Sequence, residues 1–148
     1  MFEKIVVGLD GSEPSDRALA VACDLAGTFG GQIILVHTPQ PQTVAFALGA
    51  TMGYHAVTTM PTDVEVKQAA DKIIAAGKAM AADKGTEVTE THIDRGDPAE
   101  QIVHWAESAG ADLIVTGRRG LGNLQALVQG STTQRIGKLS NCSCLSVV

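Results

Sequence analysis

At 148 residues the chain has the length of one domain, and its 45% hydrophobic and 18% charged content excludes a disordered polymer. Aromatic residues make up only 3%, which argues against single-strand nucleic-acid binding by base stacking and leaves the core to aliphatic side chains and alanine. The formal charge is −5, yet all sixteen acidic residues lie between Glu3 and Asp112, while residues 113–148 hold Arg118, Arg119, Arg135, Lys138 and no acid. Such a chain is a poor partner for a long polyanion, but it can hold a small anion near its acid-free segment.

Met1-Phe2-Glu3-Lys4 runs straight into Ile5-Val6-Val7-Gly8-Leu9, so the N-terminus reads as a strand buried on both faces, without a secretory leader. Asp10-Gly11-Ser12 makes a turn and a helix N-cap, with Pro14 in the first helical turn. Ala18, Leu19, Ala22, Leu25, Ala26 and Phe29 then recur at helical spacing, and Gly30-Gly31 ends the helix. Ile33-Ile34-Leu35-Val36 is a second buried strand. A long connection runs from Pro39 to Pro61; its Val44, Phe46, Leu48, Met52 and Tyr54 form a lid, a partner surface or packing over the sheet edge. Its most apolar part, from Thr43 to Met60, is too broken by glycine and histidine to span a membrane.

Thr62 or Asp63 caps the next helix, with a stripe of Val66, Ala70, Ile73, Ile74, Met80 and Ala81. The segment from Glu87 to Ile93 is largely polar and reads as an edge strand. Asp97-Pro98 opens a helix that buries Ala99, Ile102, Val103 and Ala106 and stops at Gly110. Leu113 to Thr116 is another buried strand, Ser131 caps a short helix to about Leu139, and Leu145 to Val148 is the last strand. Cys23, Cys142 and Cys144 make no disulfide framework, which fits a reducing, cytoplasmic compartment.

Strands alternating with helices imply an α/β domain over 1–148: three layers, with a five-stranded parallel sheet between helices. A polar third strand belongs at an edge, which selects the order 3-2-1-4-5 over 2-1-3-4-5. Strand one then adjoins strand four where the connections reverse, and ligands of open α/β sheets bind at that point, outside the carboxyl ends of the strands. Two loops meet there, Leu9 to Ser12 and the one starting at Gly117.

The second loop carries the chemistry. Gly117, Gly120, Gly122 and Gly130 let backbone N–H groups approach an anion, and Gly130-Ser131-Thr132-Thr133 opens a helix whose positive end favours phosphate. The hydroxyls of Ser131 and Thr132 add donors, and Arg118 and Arg119 supply positive charge or remain solvated. No lysine precedes Ser131, so this is not a P-loop; the dinucleotide fingerprint and a Gly-x-Ser-x-Gly elbow are also missing.

Gly117-x2-Gly120-x9-Gly130-Ser131 resembles the Gly-x2-Gly-x9-Gly-Ser/Thr motif of the ATP-binding branch of the universal stress proteins. The segments from Ile5 to Ser12 and from Ile34 to His37 resemble that family's first strand and loop and its second strand, so the likeness spans the chain. It implies a Rossmann-like domain of the adenine nucleotide alpha-hydrolase-like type that binds ATP, with magnesium accompanying the phosphates, and that forms a homodimer through the last strand. By position, Gly8, Leu9 and Asp10 would line the nucleotide, Thr38 would face adenine, and Thr116 and Gly117 would lie along base and ribose. Gly120, Gly130, Ser131 and Thr132 would hold phosphates, with Arg118 and Arg119 at variable motif positions. The resemblance leaves Asp10 three roles: ribose contact, adenine contact, or magnesium through water. Asn141-Cys142-Ser143-Cys144 departs from the family's Cys-Pro-Val before the final strand.

No carboxylate pair or metal cluster completes a water-activating set, and His37 and His92 read as structural. The expected function is therefore a cytoplasmic stress-response nucleotide sensor or adaptor that acts on an unnamed protein partner, with at most slow ATP hydrolysis. The alternative is a dimeric interaction module that does not use nucleotide. A nucleotidyl-transferring enzyme lacks its paired histidines after Asp10.

Overall fold

The computed structural model of the chain describes residues 1–49, 60–118 and 131–148. In chain order its elements are β1 (Lys4–Leu9), α1 (Glu13–Phe29), β2 (Gln32–His37), α2 (Pro41–Ala47), α3 (Asp63–Asp83), β3 (Val88–Ile93), α4 (Pro98–Ala109), β4 (Leu113–Gly117), α5 (Ser131–Leu139) and β5 (Ser143–Val147). All strand pairs are parallel, in the order β3-β2-β1-β4-β5. This is the three-layer α/β arrangement expected from the alternating pattern, in the strand order expected from the polar third strand, and it has the Rossmann-like form that the resemblance implies.

The two sides of the sheet have separate cores. Ile5, Val7, Ile33, Leu35 and Val115 point toward α1, α2 and α3, where they meet Leu19, Val44 and Ile73. Val6, Ile34, Val36 and Ile114 point toward α4 and α5, where they meet Ile102, Val103 and Ile136. Alternate residues of one strand serve alternate faces, which is why β1, β2 and β4 are continuous apolar runs.

The helix boundaries have local causes. Ser12 caps α1 and Gly30 ends it in the left-handed conformation, with φ 70°. Thr62 caps α3 in a reciprocal pair with Glu65, Asp97 caps α4, and Gly110 closes α4 with φ 63°.

Three boundaries differ from the sequence-based expectation. The connection after Pro39 contains α2, opened by Pro41 and burying Thr43, Val44 and Ala47; seven residues are too few for helical periodicity to stand out. Phe46 and Leu48 are a little under half exposed, while Met52 and Tyr54 lie outside the described residues. Ser131 is the first residue of α5 rather than its cap. The last strand begins at Ser143, two residues early, because Ser143 and Cys144 continue the parallel ladder beside Leu113 and Ile114. That pairing is set by backbone hydrogen bonds, which hydrophobicity does not report.

Candidate functional site

The C-terminal ends of β1, β2 and β4 open into a cleft of about 380 Å3. It is lined by Gly8, Leu9 and Asp10, by Thr38 just beyond β2, by Thr116, Gly117 and Arg118, and by Ser131 and Thr132 at the start of α5. The structure thus brings together nine of the site residues expected from the sequence. The other three, Arg119, Gly120 and Gly130, lie outside the described residues.

The walls are fixed by short polar links. Ser12 donates its backbone N–H to Asp10 Oδ1 at 2.9 Å, and its hydroxyl binds the same oxygen, so the turn that starts α1 also orients the Asp10 carboxylate. Thr133 Oγ1 donates to the Gly117 carbonyl at 3.2 Å, tying α5 to the end of β4. The Arg118 N–H donates to the Val147 carbonyl at 2.6 Å, which ties the residue after β4 to the end of β5.

Two lining glycines have packing reasons of their own. A Cβ on Gly8 would lie 2.6 Å from Ile102 Cδ1, the movable tip of a side chain on α4. A Cβ on Gly117 would lie 2.6 Å from the carbonyl carbon of Pro14, which is backbone and cannot rotate aside. Gly117 is therefore required by the approach of α1, independently of any ligand.

The cleft is suited to an anionic, polar guest. The N-terminal turns of α1, α4 and α5 border it, and such turns carry unpaired N–H groups and the positive end of the helix dipole. Arg118 adds a cation. Thr38 is 6% exposed, and its Oγ1 makes no hydrogen bond to a described residue although it is buried at the cleft wall. Buried hydroxyls are ordinarily paired, so this one is available to a ligand.

The described histidines stand apart from the cleft. Fully buried His37 faces the α1 and α3 side, where its Nδ1–H donates to the Leu9 carbonyl at 2.8 Å. Burial holds its pKa below the ordinary 6.5, against smaller upward pulls from that hydrogen bond and from Asp10. His92 stacks on Trp105 with ring centroids 3.5 Å apart, and Glu90 accepts its Nε2–H at 3.1 Å. Neither lines the cleft. His104 is exposed beside Trp105, and His55 lies outside the described residues.

Sequence reasoning missed one wall of the cleft. Gln40, Gln42 and Thr43 at the start of α2, and Asp97, Pro98 and Ile102 of α4, also line it. Gln40 Nε2 donates to the Gly96 carbonyl at 3.0 Å, joining those two loops. The signal was present: α4 follows β3, so its N-terminus lies at the same end of the sheet as those after β1 and β4.

The model of the universal stress protein family matches residues 1–147. The chain belongs to that family. It is 33% identical over 150 aligned residues to universal stress protein YxiE of Bacillus subtilis, with 99% of each chain covered. Among solved structures, it superimposes on a universal stress protein in complex with cAMP with a TM-score of 0.72, at 23% identity, covering 99% of this chain and 97% of the other. It also superimposes on the family member from Archaeoglobus fulgidus in complex with dAMP, with a TM-score of 0.69 at 19% identity, covering 100% and 98%. At these identities the two superpositions speak for the shared fold.

Proposed function

We propose that the cleft binds an adenine nucleotide, ATP foremost, and that the chain serves as a cytoplasmic stress-response sensor or adaptor whose bound state is read by a protein partner. The observation that carries this reading is the pairing of two ends in one cavity. Ser131, Thr132 and Arg118 offer donors and positive charge at one end, and the buried, unpartnered Thr38 hydroxyl offers a polar contact at the other. A volume of about 380 Å3 lies in the range of small-molecule pockets. Two family members solved with cAMP and dAMP agree in ligand class.

In this reading Gly8, Leu9, Thr38, Thr116 and Gly117 hold base and ribose, and Gly120, Gly130, Ser131 and Thr132 hold phosphates, with Arg118 and Arg119 beside them. Asp10 is one oriented carboxylate; alone it suits magnesium only through water and phosphate oxygens, and otherwise accepts a hydroxyl or amino hydrogen. Among the described residues no histidine lines the cleft, His37 donating its Nδ1–H to Leu9 and His92 its Nε2–H to Glu90, so this reading includes at most slow hydrolysis.

A homodimer through β5 belongs to the same proposal. The strand is an uncharged sheet edge with Leu145 36% exposed, whereas the opposite edge, β3, carries Glu90 and has Glu87 just before it. An uncharged edge invites pairing and a charged one resists it.

Calorimetric titration with Mg-ATP of the native chain and Gly130→Val tests the phosphate grip. The substitution should lower affinity on the order of a hundredfold, the scale of a few lost charge-assisted hydrogen bonds, while the circular dichroism spectrum is retained. An unchanged affinity would defeat the assignment.

A further inference from the structure

Asp97, which with Pro98 starts α4, also lines the cleft. It is the second carboxylate, after Asp10, in the described lining of a cavity suited to phosphate. Both of its oxygens are occupied: Oδ1 accepts the Glu100 N–H at 3.1 Å, capping α4, and Oδ2 accepts Nη1 of Arg135. Arg135 stands four residues after Ser131, one turn into α5, and its Nη2 also donates to Glu100 Oε1 at 2.9 Å. One guanidinium of α5 therefore holds both the cap residue and the first turn of α4, and both helices border the cleft. Asp97 is the least exposed of the three side chains at 33%, against 45% for Arg135 and 62% for Glu100.

Ion pairs this exposed contribute little to stability, a median of about 0–1 kcal/mol. Capping does not require the charge either, because asparagine caps a helix as well as aspartate does. What Arg135 changes is the field at the cleft wall. Without it, the carboxylates of Asp97 and Glu100 would both stand uncompensated beside every anion that entered; with it, one of their two charges is cancelled.

We propose that Arg135 is a positioning residue for polyphosphate ligands: it compensates the carboxylate of Asp97, a residue of the cleft lining, so that affinity does not fall as the ligand's charge rises. This rests on the nucleotide reading of the cleft and adds what sets its tolerance for phosphate. Arg135 acts through Asp97 and through the register of α4 against α5; it is not itself a lining residue.

The test is calorimetric titration of adenosine, ATP and inorganic pyrophosphate into four proteins: the native chain, Arg135→Gln, Asp97→Asn and the double variant. At low ionic strength Arg135→Gln should weaken ATP and pyrophosphate about tenfold and adenosine less than about twofold, and added salt should shrink the difference. Asp97→Asn should leave ATP as tight as in the native chain or tighter. The double variant should return ATP to within about threefold of native, because the charge that needed cancelling is gone. Equal losses for adenosine and ATP, no loss at all, or a double variant as weak as Arg135→Gln would each overturn the proposal while leaving the nucleotide reading in place. Pyrophosphate binding with the expected losses and rescue, but no adenosine binding, would uphold the role of Arg135 and overturn adenine recognition. A native chain that bound none of the three would overturn both.

Discussion

The two ends of the same sheet are finished differently. At the N-terminal end the polar groups are paired within the fold: Asp112 Oδ2 accepts the N–H groups of Glu3 and Lys4 at 2.9 and 3.0 Å, and Lys4 Nζ donates to the Ala109 carbonyl at 2.9 Å. The preceding helices are closed there by Gly30 and Gly110. At the C-terminal end the strands stop short of a cleft, helices begin rather than end, and the Thr38 hydroxyl is buried without a described partner. Parallel topology forces this asymmetry, since every helix N-terminus follows a strand's carboxyl end. One end can be closed with hydrogen bonds for stability, and the other keeps its donors for a ligand.

The comparison can be broken from either end. The largest expected effect concerns His37, at the end of β2. Its folded pKa is lowered by burial, so below pH 6.5 the unfolded chain binds the proton that the folded chain refuses. Its contribution to stability is therefore complete above that value and is lost as pH falls from 6.5 toward the folded pKa, with a slope of up to about 1.4 kcal/mol per pH unit. Urea denaturation across this window should show the slope in the native chain and a shallower one in His37→Gln. Asp112→Ala comes next, costing about 1 kcal/mol by removing two solvent-facing hydrogen bonds and leaving ATP affinity unchanged. Loss of ATP binding in a folded Asp112→Ala protein would show that the two ends are not independent. The smallest effect on stability belongs to Thr38→Val, which removes an unpaired buried hydroxyl at nearly constant shape. Its unfolding free energy should hold or rise by up to about 1 kcal/mol while ATP and adenosine affinity fall several-fold. A stability loss with intact affinity would mean that the hydroxyl serves the fold.

Much of this asymmetry was legible in the residues. Continuous runs such as Ile5 to Leu9 and Ile33 to Val36 announced strands covered on both faces, and the polar Val88–Ile93 segment fixed its own edge position and with it the strand order. The spacing of Gly117, Ser131 and Thr132 pointed to one wall of the cleft because glycine and hydroxyl chemistry is local. The other wall was less legible. α2 is too short to show a period, Gln40 reaches Gly96 across 56 positions of sequence, and Asp97 meets Arg135 across 38. Such contacts arise from strand order, so they become visible only after β3, β2 and β4 are in their places. Gly117 also shows that one residue can satisfy two demands, since its close approach to Pro14 would keep it a glycine even in an empty cleft.

Native mass spectrometry of the purified chain, with and without Mg-ATP, tests the central claim most directly. A dimer carrying one ATP per subunit is the expected result. A chain that stayed empty at millimolar ATP would contradict it and leave the open end of the sheet without its proposed occupant.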